Sequence, residues 1–325
     1  MFYQITEFLN QIPFFSSVAF GIVAMVIVGS SWCLVGLVMG DAPKRGIEPS
    51  LVQLGGSIFS VTCSLIIMLA TSAYPTLPLK STALLGLTVF TASVLNFIML
   101  QLMSKAMQLG PNGIIWAIIQ SALVFPFIGG VLFFNVKFTM LRGGGILLLL
   151  TALVLFAFTK NNSCKAAGNK WKILAFAAMF LAAIQMNLST LPSYFTSGGG
   201  FPSIFRSLCG ASGTLSAAII WNVVQMTPER WAQIKKNVRN VTLWKYIAAL
   251  QLFGLIFAYT LLYPGMDVMA GKGFGGMCYP MLVGSCIVSF TLSSIFLLKE
   301  KFRPIQLAAV IVCLTGLVLI CTKAS

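Results

Sequence analysis

Ten apolar runs of bilayer-spanning length, divided by short polar breaks, dominate this chain. They cover about 18–39, 51–73, 83–104, 112–134, 141–159, 173–192, 202–225, 243–263, 274–298 and 304–321. A helix needs about 20 apolar residues to cross the hydrocarbon of a bilayer. The breaks are clusters of Pro, Gly and charge such as DAPKRGIEPS, YPTLPLKS, QLGPNG and YPGMDVMAGKG. No run alternates polar and apolar residues as a membrane barrel strand does. Helix is then the element that satisfies its own backbone in lipid. Composition closes off a water-soluble fold. Only 8% of the 325 residues are charged and 58% are hydrophobic, against about 25% charged in a soluble domain. The expected fold class is an all-α integral membrane protein with ten transmembrane helices.

Two of the runs say nearly the same thing. Residues 137–155 read KFTMLRGGGILLLLTALVL, and residues 301–319 read KFRPIQLAAVIVCLTGLVL. Lys137/Lys301, Phe138/Phe302, Leu150/Leu314, Thr151/Thr315 and Leu155/Leu319 coincide without a gap. Shared Leu and Val are common to membrane helices; the Lys-Phe start and the Thr at fixed distance are not. A weaker match joins Pro49-Ser50-Leu51-Val52-Gln53 to Pro202-Ser203-Ile204-Phe205-Arg206, which makes Gln53 and Arg206 counterparts. Pro-Ser suits a helix start, where a missing N–H costs nothing. The predicted organisation is a lead-in at 1–17, a first five-helix repeat at 18–159, a basic linker at 160–172 and a second repeat at 173–322. Five is odd, so the repeats enter the membrane in opposite orientation. Inverted repeats place a substrate site near the midplane, between the halves.

Charge sets the expected orientation. Loops after odd-numbered runs hold fifteen of the 21 Lys and Arg residues. The positive-inside rule then puts those loops in the cytoplasm and both termini outside. Residues 1–17 lack the basic start of a secretory signal. The net charge of +15 lies in loops between apolar runs, which excludes a nucleic-acid-binding face.

The chain has no histidine, and its eight cysteines form no CxxC pair. Neither zinc ligation nor a disulfide framework is expected, and no cofactor. No P-loop is present. The acids Glu7, Asp41, Glu48, Glu229, Asp267 and Glu300 all fall outside the middle of the runs. That argues against an enzyme, which needs a catalytic constellation, and against a proton relay within the membrane.

The repeated unit resembles the EamA-type half of the drug/metabolite transporter superfamily. The residues that carry the resemblance are LLKEKFRPIQLAAVIVCLTGLVLI (297–320), SKAMQLGPNGIIWAIIQSALVFPFIGGVLFF (104–134) and GSSWC (29–33). It implies ten spans in two inverted five-span repeats and a secondary transporter of the cytoplasmic (inner) membrane, of bacterial type. Its partners would be a small-molecule substrate and the lipid bilayer, as a monomer or homodimer. Outward termini and basic 5–6, 7–8 and 9–10 loops look like the glucose/ribose-uptake and rhamnose-symporter branches, hence sugar transport. The alternative is an exporter of amino acids, nucleobases or amphipathic compounds.

Uncharged polar side chains within the runs suit a neutral, hydroxyl-rich ligand. The candidate substrate-binding residues are Trp32, Gln53, Asn96, Trp116, Gln120, Gln185, Asn187, Arg206, Gln251 and Tyr279. Each amide also fits a plain interhelical hydrogen bond. Arg206 alone brings a cation about a full turn inside a run. It reads either as a donor fork to substrate oxygens or as a side chain snorkelling from a helix end. Pro126 and Pro280 are expected to kink the fourth and ninth helices, and Gly198-Gly199-Gly200 to form a hinge.

Overall fold

The computed structural model describes residues 13–110, 112–159, 169–196, 199–296 and 304–321. Most of the lead-in and of the basic linker, Glu300 with its flanking cations, and Gly198 lie outside them. Every regular element among the described residues is helical. Seven helices there are long and apolar enough to cross a membrane: α1 (Val18–Arg45), α2 (Pro49–Thr71), α3 (Leu79–Leu109), α4 (Ile114–Phe133), α6 (Lys170–Thr196), α7 (Ser203–Val224) and α8 (Val241–Gly271). Three further apolar helices, α5 (Met140–Thr159), α9 (Cys278–Phe296) and α10 (Pro304–Ile320), occupy the other expected positions. A short polar helix, Pro228–Val238, connects α7 to α8.

The helix ends follow local chemistry. Ser17 caps α1, its hydroxyl accepting the Phe20 N–H at 3.3 Å. Pro49 opens α2 and Pro202 precedes α7, as the Pro-Ser pairs predict. Gly200 adopts φ +72° before α7, a conformation that favours glycine. Its carbonyl accepts the Thr76 N–H at 3.0 Å, and Leu77 packs on its Cα side. At the position read as a hinge, Gly200 thus joins the α2–α3 and α6–α7 turns.

Prolines behave differently from the expectation in three places. Pro280 falls in the first turn of α9, where no helix bond is lost, so it does not kink. Pro192 lies inside α6, which runs on to Thr196. The Ser189 and Thr190 hydroxyls reinforce the turn before it, donating to the Met186 and Asn187 carbonyls at 3.1 and 2.8 Å. Pro264 does not end α8. A π turn at Ala258–Leu262 widens the helix just ahead of the proline, and the helix then continues to Gly271. A π bulge absorbs the missing N–H without breaking the element. The polar stretch read as a loop is thus the last part of α8.

The helices pack α1 on α9, α6 on α3 and α4, α8 on α1 and α2, and α7 on α2 and α3, while α5 pairs with α10. The main core joins Ala24, Met25 and Val28 of α1 to Met281 and Leu282 of α9 and Ala178, Ala182 and Met186 of α6. Outward faces carry large exposed apolar side chains, among them Ile66, Leu69, Phe180, Ile220 and Val224. This is an inside-out distribution for a particle in water. Crossings are tightest at glycine. At the α5–α10 crossing a methyl on Gly145 would lie 2.7 Å from the Gly316 carbonyl oxygen, and one on Gly316 would lie 2.8 Å from that of Gly145. Small residues let backbones approach where lipid gives helices no hydrophobic reason to associate.

Gly145→Val and Gly316→Val are each expected to lower thermal stability by about 1–3 kcal/mol, the usual cost of overpacking. Gly144→Ala has open space around it and should leave the melting temperature unchanged or slightly raised. Melting followed by size-exclusion chromatography in detergent separates these outcomes.

Candidate functional site

The interior polar groups fall into a neutral cluster and two ion-pair networks. The neutral cluster forms where α1 breaks. Trp32 interrupts α1 between Ser31 and Cys33. The Ser30 carbonyl is met there by the Ser289 hydroxyl of α9 at 2.9 Å, so the broken helix keeps its backbone satisfied. The Trp32 ring lies 6.2 Å from that of Tyr279, tilted by 46°. Tyr279 is 3% exposed, and its hydroxyl shares a short hydrogen bond with Ser189 of α6. The Gln185 amide, one turn earlier on α6, faces the same hydroxyl. On α4, the Trp116 ring covers Gly36 of α1, where an added methyl would lie 3.1 Å from the ring. Gln120 follows four residues later, on the same helix face and half-buried. Trp32, Gln185 and Tyr279 thus come together, with Ser189 as a member that sequence reasoning missed.

The remaining amides are dispersed. The Gln251 amide accepts a short bond from Ser60 and covers Gly56, so it joins α8 to α2. Asn187 donates to the Ala183 carbonyl at 2.8 Å and turns its amide oxygen to Gly129 of α4. Asn96 is half-buried on α3. Gln53 is buried near the start of α2, its Nε2 among the buried amide nitrogens with no partner in the described residues.

Arg206 is 0% exposed, so it does not snorkel. It pairs with Asp267 at 2.8 Å. It also donates to the Ser193 hydroxyl at 3.0 Å, the Phe201 carbonyl at 3.2 Å and the Thr196 hydroxyl at 3.4 Å. The guanidinium lies 5.4 Å from the Phe201 ring and 5.7 Å from that of Tyr263. Aromatic faces add to the attraction for a cation withdrawn from water. Asp267 is the partner that sequence reasoning left in a loop. The π turn carries α8 past Pro264 and brings its carboxylate inside. One signal was available: Asp267 stands among the apolar residues Met266, Val268, Met269 and Ala270.

A second network closes the far end of α7. Arg230 pairs with Glu48 at 2.6 Å and donates to Asn222 at 3.1 Å, while Ser50 donates to Asn222 at 3.2 Å. Gln233 donates to the Gly46 carbonyl at 3.1 Å. Together these clasp the α1–α2 turn to the helix Pro228–Val238. Sixteen residues of α7 separate Arg206 from Asn222, about 24 Å at 1.5 Å per residue. The two networks therefore sit toward opposite ends of α7, and the neutral cluster adjoins the first, since Ser189 and Ser193 are one turn apart on α6.

No family model matches the chain, and no curated protein matches it. One solved structure, described only as "Crystal structure of protein", has the same fold at a TM-score of 0.65. It is 14% identical, and the match covers 92% of this chain and 96% of that one.

Removing one member of a buried pair leaves an uncompensated charge and costs about 3–5 kcal/mol. Asp267→Ala is therefore expected to destabilise the protein strongly. The double variant Arg206→Met/Asp267→Leu should recover most of the loss, as measured by thermal melting of all three proteins.

Proposed function

We propose that the chain is a ten-span secondary transporter of a small, neutral, polar metabolite, built from two inverted five-helix halves that rock about a central site. The observation that carries the reading is an exchange relation between α1–α5 and α6–α10. Helix lengths run 28, 23, 31, 20 and 20 residues in the first set, and 27, 22, 31, 19 and 17 in the second. Packing obeys the same exchange. The α1–α9 contact corresponds to α6–α4, α3–α6 to α8–α1, α3–α7 to α8–α2 and α4–α5 to α9–α10, while α2–α7 and α5–α10 map onto themselves.

The buried faces share a common set of positions. Leu51, Gln53, Ser57, Ser60 and Ser64 of α2 match Ile204, Arg206, Gly210, Gly213 and Ala217 of α7, each 153 positions on. Gly145, Leu149 and Ala152 of α5 match Ala309, Cys313 and Gly316 of α10, at the spacing of the sequence repeat, and all six are buried. Such agreement is what a duplicated five-helix unit requires. With an odd helix number it implies opposed halves and a site between them.

The neutral cluster meets that requirement. Trp32 comes from the first half; Gln185, Ser189 and Tyr279 come from the second. Two aromatic faces with amide and hydroxyl groups, and no charge, suit a sugar or a similar hydroxyl-rich solute. Of the cations that enter the interior, Arg206 and Arg230 are paired with carboxylates, while Arg142 donates to the Lys137 carbonyl at 2.8 Å and lies over the Phe274 ring. The resemblance to drug/metabolite transporters points the same way. We place the protein in the cytoplasmic membrane, with the loops after odd-numbered spans inside.

A thermal-shift screen of purified protein against sugars, polyols, amino acids and nucleosides, followed by counterflow in liposomes, tests the reading. Stabilisation by a sugar or polyol and saturable counterflow are expected. Stabilisation by amino acids alone would replace the cargo class, and non-saturable flux would indicate a channel. Trp32→Ala and Gln185→Ala should each slow counterflow about tenfold, the effect of losing roughly 1.4 kcal/mol of stacking or hydrogen bonding.

A further inference from the structure

We propose that the helix Pro228–Val238 and the turns beside it form a binding surface for anionic phospholipid headgroups, and that a bound headgroup holds the Glu48–Arg230 clasp. This rests on reading the long helices as membrane spans, not on the identity of the cargo.

The location comes from α7. Ile219, Ile220, Val223 and Val224 are exposed at its end, with Val224 at 78%. The polar helix begins four residues after this apolar face stops. It resumes an apolar edge at Val241 and Trp244, both exposed. The helix therefore lies where hydrocarbon gives way to headgroups.

Its two faces differ. Arg230, Gln233 and Ile234 turn inward, to Glu48, to the Gly46 carbonyl and to a small core with Leu51 and Leu243. Trp231, Lys235 and Val238 form an exposed stripe on the outer side. Lys235 lies 5.3 Å from the centroid of the Trp231 ring. The exposed Trp244 donates its indole N–H to the Val238 carbonyl at 2.8 Å, which fastens the helix to the start of α8. Two exposed tryptophans beside lysines are the usual furniture of a membrane interface.

Charge identifies the occupant. Lys44, Arg45, Arg230, Lys235, Lys236, Arg239 and Lys245 gather here against Asp41, Glu48 and Glu229. Asp41 and Glu48 are already engaged by Arg45 and Arg230. Glu229 stands at the other end of the helix from Lys235 and Lys236. Its own backbone N–H and the Thr227 hydroxyl hold its carboxyl below the usual carboxylate range, so it stays ionised at neutral pH without shielding the cations of the last turn. An excess of exposed cations at headgroup level attracts anionic lipid.

The full-length protein in nanodiscs of phosphatidylcholine, with or without phosphatidylglycerol, provides the test. The anionic lipid should raise the melting temperature by a few degrees, less at high salt. Lys235→Gln/Lys236→Gln/Arg239→Gln should keep its melting temperature in phosphatidylcholine and lose most of the rise. Lys235→Arg/Lys236→Arg should retain it, and so should Lys80→Gln/Lys272→Gln at the opposite end. Phosphatidylglycerol brominated near the headgroup should quench Trp231 more than brominated phosphatidylcholine does, read as the difference from Trp231→Phe. An equal rise in the triple variant would overturn the proposal. A rise reproduced in phosphatidylcholine by soluble polyphosphate would do the same, since it would show charge binding that does not involve the membrane.

Discussion

Close backbone approach at small residues is the contact on which this architecture depends. Apolar helices in hydrocarbon have no hydrophobic reason to leave lipid for one another, so dispersion packing and a few polar bonds must hold them. The protein supplies that packing with Gly29 against the Leu282 backbone, Gly213 against Phe90 and Gly145 against Gly316. Ala24, Ala178 and Ala182 fill the interior, while Ile66, Phe180 and Val224 are turned outward. Small residues at the crossings, with large apolar ones turned to lipid on the opposite faces, fix which face of each helix meets another.

Polar bonds do a different job. The Arg206–Asp267 network joins α6, α7 and α8, and the Glu48–Arg230 network joins the α1–α2 turn to the end of α7. Each lies toward one end of α7, and in each the cation is paired with a carboxylate that offsets the cost of burying charge. The Trp32–Tyr279–Gln185–Ser189 cluster, one turn along α6 from the Arg206 network, is uncharged.

Much of the fold was legible in the chain. Each expected run contains a helix, because run length and periodicity report directly on burial in lipid. The Pro-Ser starts at Pro49 and Pro202 were legible for the same local reason. Proline misled in α6, α8 and α9. Whether Pro192, Pro264 or Pro280 ends a helix, bends it or opens it depends on neighbouring turns: hydroxyls before Pro192, a π turn before Pro264 and a late helix start before Pro280. The helix Pro228–Val238 was hidden among breaker residues, since eleven residues carry too little periodic signal to stand out from a loop.

By itself the sequence determined the helical class, the apolar runs and the 164-residue repeat between Lys137 and Lys301. These are properties of composition and spacing along one dimension. Only the tertiary structure decided which polar groups meet. Asp267 reaches Arg206 from 61 positions away, and Arg230 reaches Glu48 from 182. Trp32, Gln185 and Tyr279 come from three helices. Periodicity says which face of a helix turns inward. It does not say which neighbour waits there, because that is settled by the approach of backbones at glycine and by the turn that carries α8 past its proline.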